Sequence, residues 1–115
     1  MKKKRVGLIY NKKKRLNLQV FECNLFEQGI GLMFSKEKSA KILAFRFKNP
    51  AHLSIHSFFV FFPFIVVWTD DRNKILCWKK VYPFTLRVSP PKRGFFNLIE
   101  IPMTKKHSKV VKFFK

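Results

Sequence analysis

Few side chains of this sequence are suited to chemistry. The chain contains six acidic residues, three histidines and two cysteines. Four of the acids have structural explanations as helix-capping, turn or loop residues: Glu27, Asp70, Asp71 and Glu37. Acid–base catalysis by paired carboxylates would therefore have to use Glu22 and Glu100, which lie in separate predicted strands. Little in the pattern supports such a pair, and we predict no catalytic residue.

The histidine spacing invites a metal site, but the predicted backbone argues against one. His52 and His56 could share an ion on a helix. Pro50 and the alternation of apolar and polar residues indicate a strand instead, in which side chains four residues apart are separated by about 13 Å. We therefore expect no metal and no cofactor. His56 is interpreted as a structural histidine at a strand end, and a role in ligand contact or proton transfer stays open.

Cysteines and glycines give no further site. Cys23 and Cys77 are far apart in the sequence and lack a CxxC motif, which predicts two reduced and mostly buried thiols. A catalytic Cys–His pair, in which His56 would activate one of these thiols as a nucleophile, is supported by no motif and only by the presence of the residues. With four glycines and no glycine-rich motif, a phosphate-binding loop is excluded.

Alternating patterns and turn residues divide the chain into about seven short strands. A basic turn at residues 11–15 joins the first two strands into a hairpin. Residues 64–69 are apolar on both faces, as in a central strand, and Pro63 suits its first position. The predicted strands are residues 6–10, 16–23, 43–47, 64–69, 74–81, 84–88 and 95–101. The pattern predicts a mainly β fold, either a small antiparallel β-sandwich or a partly closed barrel.

Two helices are predicted in addition. The first begins near Asn24, which with Glu27 resembles a capping box, and extends to about Met33. Gly29 and Gly31 weaken this helix, so packing must hold it, and a glycine on its buried side would permit close approach to a sheet. A short basic helix is predicted in the tail, with His107, Val110, Val111 and Phe114 on one of its faces.

Length and composition fit one globular domain over residues 1–115. An apolar content of 47% in 115 residues supplies one core and argues against disorder. The longest apolar stretch, residues 58–68, is broken by Pro63 and is about half as long as the roughly 20 residues that span a bilayer. The basic start of the chain is followed by too short an apolar segment for a signal peptide. We expect a cytoplasmic protein without a membrane span.

Positive charge dominates the chain. Lys and Arg number 25 against six Asp and Glu, a formal net charge of +19, and the cations concentrate at both ends. Such ends are candidate contacts for nucleic acid or another polyanion. The alternative is genome composition, because Lys and Phe can both be encoded by A and T alone, although uniform drift does not predict terminal clustering. The candidate contacts are Lys2, Lys3, Lys4, Arg5, Lys12, Lys13, Lys14 and Arg15.

Two motifs together carry a family resemblance. Residues 30–34 read Ile-Gly-Leu-Met-Phe, and a histidine- and serine-containing run at residues 55–59 enters a Phe-rich turn with Pro63 before a strand closed by two aspartates. Over residues 16–102 this order resembles the short variant of the domain of unknown function 192 family, also called uncharacterised protein family 0127. The matching positions are Gly31, Leu32, Met33, His56, Ser57, Phe58, Phe59 and Pro63.

The resemblance implies a small β-rich, sandwich-like domain without an established biochemical activity. It also shows two departures. The commoner family pattern has a polar segment before the proline and an aspartate two residues after it, whereas this chain has residues 60–62 as Val-Phe-Phe and Ile65 at those places. If those polar groups form a site in other members, this chain lacks it or has built another.

These observations lead to two functional expectations. The first is a non-enzymatic β domain that binds or scaffolds a partner, with basic ends that contact polyanions without sequence specificity. The four phenylalanines at residues 58, 59, 61 and 62 are interpreted as core and rim packing, although stacking of single-stranded nucleic acid on them is an alternative. The second expectation is a small-ligand receptor or enzyme with a pocket near His56 and the Gly31-Leu32-Met33 segment.

Overall fold

The computed structural model describes residues 1–10, 14–24 and 31–114. The fold is mainly β, as predicted, and all six strands of the described chain belong to one sheet. A 3₁₀ turn at Lys105–His107 leads into the C-terminal helix α1, Ser108–Phe113. The strands are β1 (Lys2–Tyr10), β2 (Lys14–Glu22), β3 (Leu43–Ala51), β4 (Phe64–Thr69), β5 (Ile75–Val81) and β6 (Phe95–Pro102).

The sheet is mixed, which corrects the antiparallel prediction. Its strand order is β1-β2-β3-β6-β4-β5, and β2 runs parallel to β3 through the pairs Phe21 with Leu43 and Glu22 with Ala44. The other neighbouring strands are antiparallel. Parallel strands need a long crossover connection, and residues 23–42 between β2 and β3 provide it. Sequence patterns give strand positions but not this change of direction.

The sheet curls until its two edge strands meet at one point. The Ile9 N–H of β1 donates to the Asn73 carbonyl just before β5, at 2.9 Å. Beyond that bridge the seam is filled by aromatic side chains of the C-terminal segment: the ring of Phe114 lies 5.4 Å from Trp78, and the ring of Phe113 lies 6.1 Å from Tyr10. The architecture is therefore a single sheet forming part of a barrel, and two stacked sheets are absent from the described residues.

Two apolar layers cover the two faces of the sheet. Strand β4 supplies both, since its side chains alternate between them and all six of its residues are buried, as predicted for a central strand. The layer inside the curl includes Leu8, Leu18, Val20, Ile65, Val67, Ile99, Ile101 and Phe114. The outer layer is covered by loops and includes Leu32, Phe45, Val60, Phe62, Phe64, Val66, Trp68 and Leu98.

One predicted strand and part of the first predicted helix are wrong. Residues 84–88 form no strand, because Phe84 has a φ of 59° that interrupts an extended backbone, and only an isolated bridge joins Ile55 and Val88. Residues 25–30 of the predicted helix lie outside the described residues. Residues 31–34 form a turn, in which the φ of 55° at Gly31 and 63° at Phe34 are incompatible with a right-handed helix.

The predicted C-terminal helix is confirmed over Ser108–Phe113, but two of its four predicted face residues lie outside it, His107 in the 3₁₀ turn and Phe114 after the last helical residue. Phe114 is buried and Val110 and Val111 pack against the inner layer, while a ring nitrogen of His107 lies 2.8 Å from the Ala40 carbonyl. In the described part of the chain, no helix has the length and apolar character needed to traverse a bilayer.

Candidate functional site

The central chemical feature of the structure is a buried carboxyl group. Glu100 lies on β6 with Leu43 of β3 and Val66 of β4 as its in-register neighbours. Directly opposed residues project on the same face of a sheet, so the Glu100 side chain enters the outer apolar layer. Only 6% of Glu100 is exposed, and its Oε1 has no hydrogen-bond partner among the described residues.

Burial changes the ionisation of this group. Removal from water penalises the charged form, which raises the pKa of Glu100 from its ordinary value of 4.5 to about 8. At neutral pH the carboxyl group is therefore mainly protonated. In that form it is a hydrogen-bond donor through its hydroxyl and an acceptor through its carbonyl oxygen.

Gly31 brings the backbone close to this carboxyl. A Cβ at Gly31 would lie 3.2 Å from Glu100 Oε1 and 3.8 Å from the Phe45 ring. The φ of 55° at Gly31 also belongs to the left-handed region, which glycine enters without a steric penalty. The expected close approach of a glycine to the sheet is confirmed, but in a turn instead of a helix.

The turn and the loop before β4 enclose a pocket above Glu100. Its volume is about 250 Å³. Glu100 is its acidic side chain, His56 and Ser54 are polar lining residues, and most of the remainder is apolar. The apolar lining comes from Leu32, Met33, Leu53, Ile55, Val60 and Phe64. The sequence motifs at residues 31–33 and at His56, far apart in the chain, thus contribute to one pocket.

His56 lies at the exposed side of this pocket. Its Nδ1 accepts a hydrogen bond from the Phe58 N–H at 3.2 Å, and its ring centroid is 5.4 Å from that of Phe58. An accepting Nδ1 in a neutral ring leaves the proton on Nε2. The predicted strand over residues 52–56 is wrong, because only an isolated bridge at Ile55 is present there. The bond to the Phe58 N–H gives His56 a local structural role, and its position in the pocket wall leaves it accessible to a ligand.

Ser57 has a structural role. It is fully buried, and its hydroxyl donates to the Tyr82 carbonyl at 2.6 Å and accepts from the Thr85 N–H at 2.5 Å. Its own carbonyl accepts from the Phe84 N–H at 3.0 Å. These bonds join the loop at residues 55–60 to the loop at residues 82–88, and they occupy the hydroxyl.

The remaining motif positions support or border the pocket. Leu32 is buried and Met33 is half-buried against the outer layer. Pro63 directly precedes β4, close to its predicted place, and its carbonyl accepts from the Met103 N–H at 2.9 Å. Phe58 and Phe59 are exposed, whereas Phe62 is buried, so the Phe-rich run divides between core and surface.

Glu22 and Glu100 do not form a site together. Glu22 is opposite Ala44, whose side chain packs on the inner face, while Glu100 projects on the outer face. Glu22 Oε2 is 3.5 Å from Lys4 Nζ. In the described residues, no three histidine, cysteine or acidic side chains are grouped closely enough to hold a metal ion.

The basic residues divide between the two ends of the first hairpin. Lys2 pairs with Glu22 at one end, and Tyr10 pairs with Lys14 at the other. The eight residue steps from Lys2 to Tyr10 along β1 correspond to roughly 27 Å. Lys2, Lys3, Lys4 and Arg5 are thus separated from Lys14 and Arg15, while the candidate contacts Lys12 and Lys13 lie outside the described residues.

A larger hollow of about 780 Å³ lies beside the bridge that joins β1 to the start of β5, and the rings of Phe113 and Phe114 do not line it. Its lining consists of Ile9, Tyr10 and residues 74–78, which include no acid and no histidine. Size alone would favour this hollow, whose lining includes the thiol of Cys77, but an acid and a histidine come together only in the smaller of these two pockets. The smaller pocket is therefore the candidate site.

Sequence reasoning underestimated Glu100. It considered this residue only as half of a carboxylate pair with Glu22. The available signal was an acid inside the run Leu98-Ile99-Glu100-Ile101, where a strand buried on both faces leaves no exposed position. Partner strands on both sides of β6 were needed to recognise its depth.

Comparisons with solved structures show the fold. A protein of unknown function from Novosphingobium aromaticivorans DSM 12444 superposes with a TM-score of 0.73 at 13% identity, over 95% of this chain and 79% of that one. A protein from Sinorhizobium meliloti 1021, described as a "putative transcription regulator", gives 0.76 at 14% identity, over 95% and 86%. No protein-family model and no curated protein sequence matches the chain.

Proposed function

We propose that this protein is a small-ligand receptor and that the pocket above Glu100 is its binding site. The observation that carries the proposal is a carboxyl oxygen buried without a partner among the described residues, facing a pocket of about 250 Å³. A buried polar group without a hydrogen bond costs free energy, which a ligand could recover by bonding to it. Binding is favoured over catalysis because the Ser57 hydroxyl, the hydroxyl nearest to the motif histidine in the sequence, is engaged in two structural hydrogen bonds and is not free to act as a nucleophile.

The chemistry of the lining defines the ligand class. A protonated Glu100 offers a donor and an acceptor side by side, which complement the edge of an amide or a carboxylic acid. The apolar walls suit a short aliphatic body, and the volume limits the ligand to a few heavy atoms. His56 is a further polar group at the pocket rim. We therefore propose a small, compact amide or acid as the ligand.

Ligand-observed NMR with isobutyramide as the first probe tests this proposal. Glu100→Gln keeps a donor and an acceptor, so binding should persist, whereas Glu100→Leu should abolish it. Glu22→Leu removes a carboxylate from the opposite face and serves as the matched control. Equal binding by the wild type and Glu100→Leu, or no binding of any small amide or acid by the folded wild type, would contradict the receptor proposal.

We also propose that the chain is a divergent member of the domain of unknown function 192 family. The convergence of Gly31, Leu32, Met33 and His56 on one pocket supports this, because it gives a shared reason for motifs that are distant in sequence. A crystal structure of a family member should place its Gly-Leu-Met-Phe turn against the last strand of a sheet with the same strand order. A different strand order there would separate this chain from the family.

A second candidate function is contact with polyanions through the basic ends. It is favoured by the exposure of all four cations at residues 2–5, of which Lys4 has a nearby acid. Binding to a single-stranded oligonucleotide should weaken steeply with salt. Neutralising residues 2–5 with glutamine should lower the log–log slope by about 0.7 for each phosphate contact removed. An unchanged slope would argue against this role for the N-terminal strand.

A further inference from the structure

Four phenylalanine rings from three separate loops pack together on the surface. Phe34 stacks on Phe59 with 5.0 Å between ring centroids and an angle of 19° between the planes. Phe84 meets Phe59 edge to face at 6.3 Å and meets Phe61 at 5.4 Å. We call Phe34, Phe59, Phe61 and Phe84 the phenylalanine cluster. It joins the turn after residue 31, the loop before β4 and the loop after β5.

This cluster is exposed to an extent that is unusual for large apolar side chains. The exposed fractions are 65% for Phe34, 46% for Phe59, 60% for Phe61 and 49% for Phe84. Tyr82 and Leu86, on the same loop as Phe84, are 62% and 75% exposed. A contiguous apolar surface of this kind in a folded protein marks an interaction site more often than a single exposed residue does.

The backbone at the cluster is strained, which gives a second and independent observation. Phe34, Phe59 and Phe84 have φ angles of 63°, 59° and 59°, in the left-handed region where glycine or asparagine is the usual residue. The Phe34 N–H donates to the Phe59 carbonyl at 2.8 Å, which locks two of these residues together. Three bulky residues in strained positions gain little burial in return, so their presence points to a role outside the stability of the chain itself.

The loops that carry the cluster also carry cations. Residues 31–42, 52–63 and 82–94 contain six lysines and arginines and one acid, Glu37. The cations are all exposed: Lys36, Lys38, Lys41, Arg87, Lys92 and Arg93. Lys36 follows Phe34 by two residues, and Arg87 follows Leu86 directly. These loops therefore combine exposed phenylalanine rings with an excess of exposed positive charge.

We propose that the phenylalanine cluster docks onto an anionic lipid bilayer, with its rings in the acyl–headgroup boundary and the loop cations on the lipid phosphates. An apolar anchor and a basic patch are the two signals that together give stable peripheral attachment. A bilayer is favoured over single-stranded nucleic acid because the rings contact one another instead of standing apart as platforms for bases, and because Leu86 offers no face for stacking. This proposal does not depend on the Glu100 pocket.

Sedimentation with vesicles tests the proposal. Vesicles of phosphatidylcholine with 30% phosphatidylglycerol should pellet the wild-type protein, and pure phosphatidylcholine vesicles should pellet much less. Phe34→Asn/Phe84→Asn places asparagine where the left-handed backbone tolerates it, so folding should be retained. We expect partitioning of this variant to fall at least about tenfold. Leu86→Asn, at a position without backbone strain, should also lower partitioning onto the vesicles.

A matched pair of charge variants separates local contact from net charge. Lys36→Gln/Arg87→Gln and Lys105→Gln/Lys106→Gln each remove two positive charges, but only the first pair belongs to the loops of the cluster. The first should weaken vesicle binding more than the second. Failure of the wild type to bind anionic vesicles, or binding that Phe34→Asn/Phe84→Asn leaves unchanged, would overturn the proposal. Loss of oligonucleotide binding in that variant, without vesicle binding in the wild type, would assign the cluster to nucleic acid instead.

Discussion

Gly31 lies directly over the carboxyl group of Glu100, with 3.2 Å between Glu100 Oε1 and the place where a Cβ at Gly31 would stand. The contact joins a turn that follows the undescribed residues 25–30 to the middle of a buried strand. This contact is possible because Gly31 has no side chain and because its backbone adopts a left-handed φ of 55°. The same glycine therefore shapes the pocket and permits the turn.

Gly31→Ala should destabilise the protein by about 2 kcal/mol. The added methyl group would crowd the carboxyl oxygen, and alanine has a cost of about 1–2 kcal/mol in the left-handed region. Urea denaturation measures the change. In Gly31→Ala/Glu100→Ala the crowding is removed while the backbone strain stays, so the penalty of the glycine substitution should become smaller in that background. An equal penalty in both backgrounds would show that the contact with Glu100 is not involved.

Glu100 should give the protein a stability that falls as pH rises. In the unfolded chain the pKa of this carboxyl has its ordinary value of 4.5, and in the folded chain burial raises it to about 8. Between these values the folded state keeps a proton that the unfolded state has lost. The contribution of Glu100 to stability should therefore be greatest below pH 4.5 and fall by up to about 1.4 kcal/mol per pH unit until about pH 8.

The variant Glu100→Gln isolates this contribution, because an amide does not ionise. The difference in unfolding free energy between the variant and the wild type should grow in favour of the variant from pH 5.5 to pH 8, measured by urea denaturation. All other titrating groups are common to both proteins and cancel in the difference. Parallel pH profiles would mean that Glu100 is hydrated or ion-paired in solution.

The local parts of this fold were accessible from the sequence, and the non-local parts were not. The run from Phe64 to Thr69 is apolar on both faces, which is enough to identify a central strand. The C-terminal face with Phe114 follows from helical periodicity alone. The parallel pairing of Phe21 with Leu43 depends on the path of residues 23–42, for which periodicity carries no information.

The candidate site shows the same division. Both motifs that line the pocket were recognised, since residue types and order sufficed for that. The burial of Glu100 could not be recognised from the sequence, because it results from Leu43 and Val66 on the two neighbouring strands. The strained φ at Phe34 and Phe84 was also inaccessible, since phenylalanine is a rare residue in that conformation and gives no turn signal.

Ser57→Ala should cost about 2 kcal/mol of stability. The substitution leaves the Thr85 N–H without its side-chain acceptor and removes one of the two hydroxyl donors to the Tyr82 carbonyl, which keeps its bond from the Thr85 hydroxyl. Ser54→Ala is a suitable control, because the Ser54 hydroxyl accepts one exposed bond from Arg87 Nε, and its loss should change stability by less than about 0.5 kcal/mol. Thermal or urea denaturation of both variants decides this, and similar costs would contradict the assignment of Ser57 as the link between the two loops.

Phe114 should be among the most costly residues to truncate, because it fills the end of an incomplete barrel. Its ring is 1% exposed and meets Trp78 on one side and Phe113 on the other, at 5.4 and 5.2 Å. Phe114→Ala would open a cavity between the edge strands and should cost about 3 kcal/mol. Phe113→Ala, at the half-buried ring of the last helical residue next to Phe114, controls for loss of helix packing and should cost less. Equal costs for the two variants, measured by urea denaturation, would mean that the C-terminal segment covers the seam without filling it.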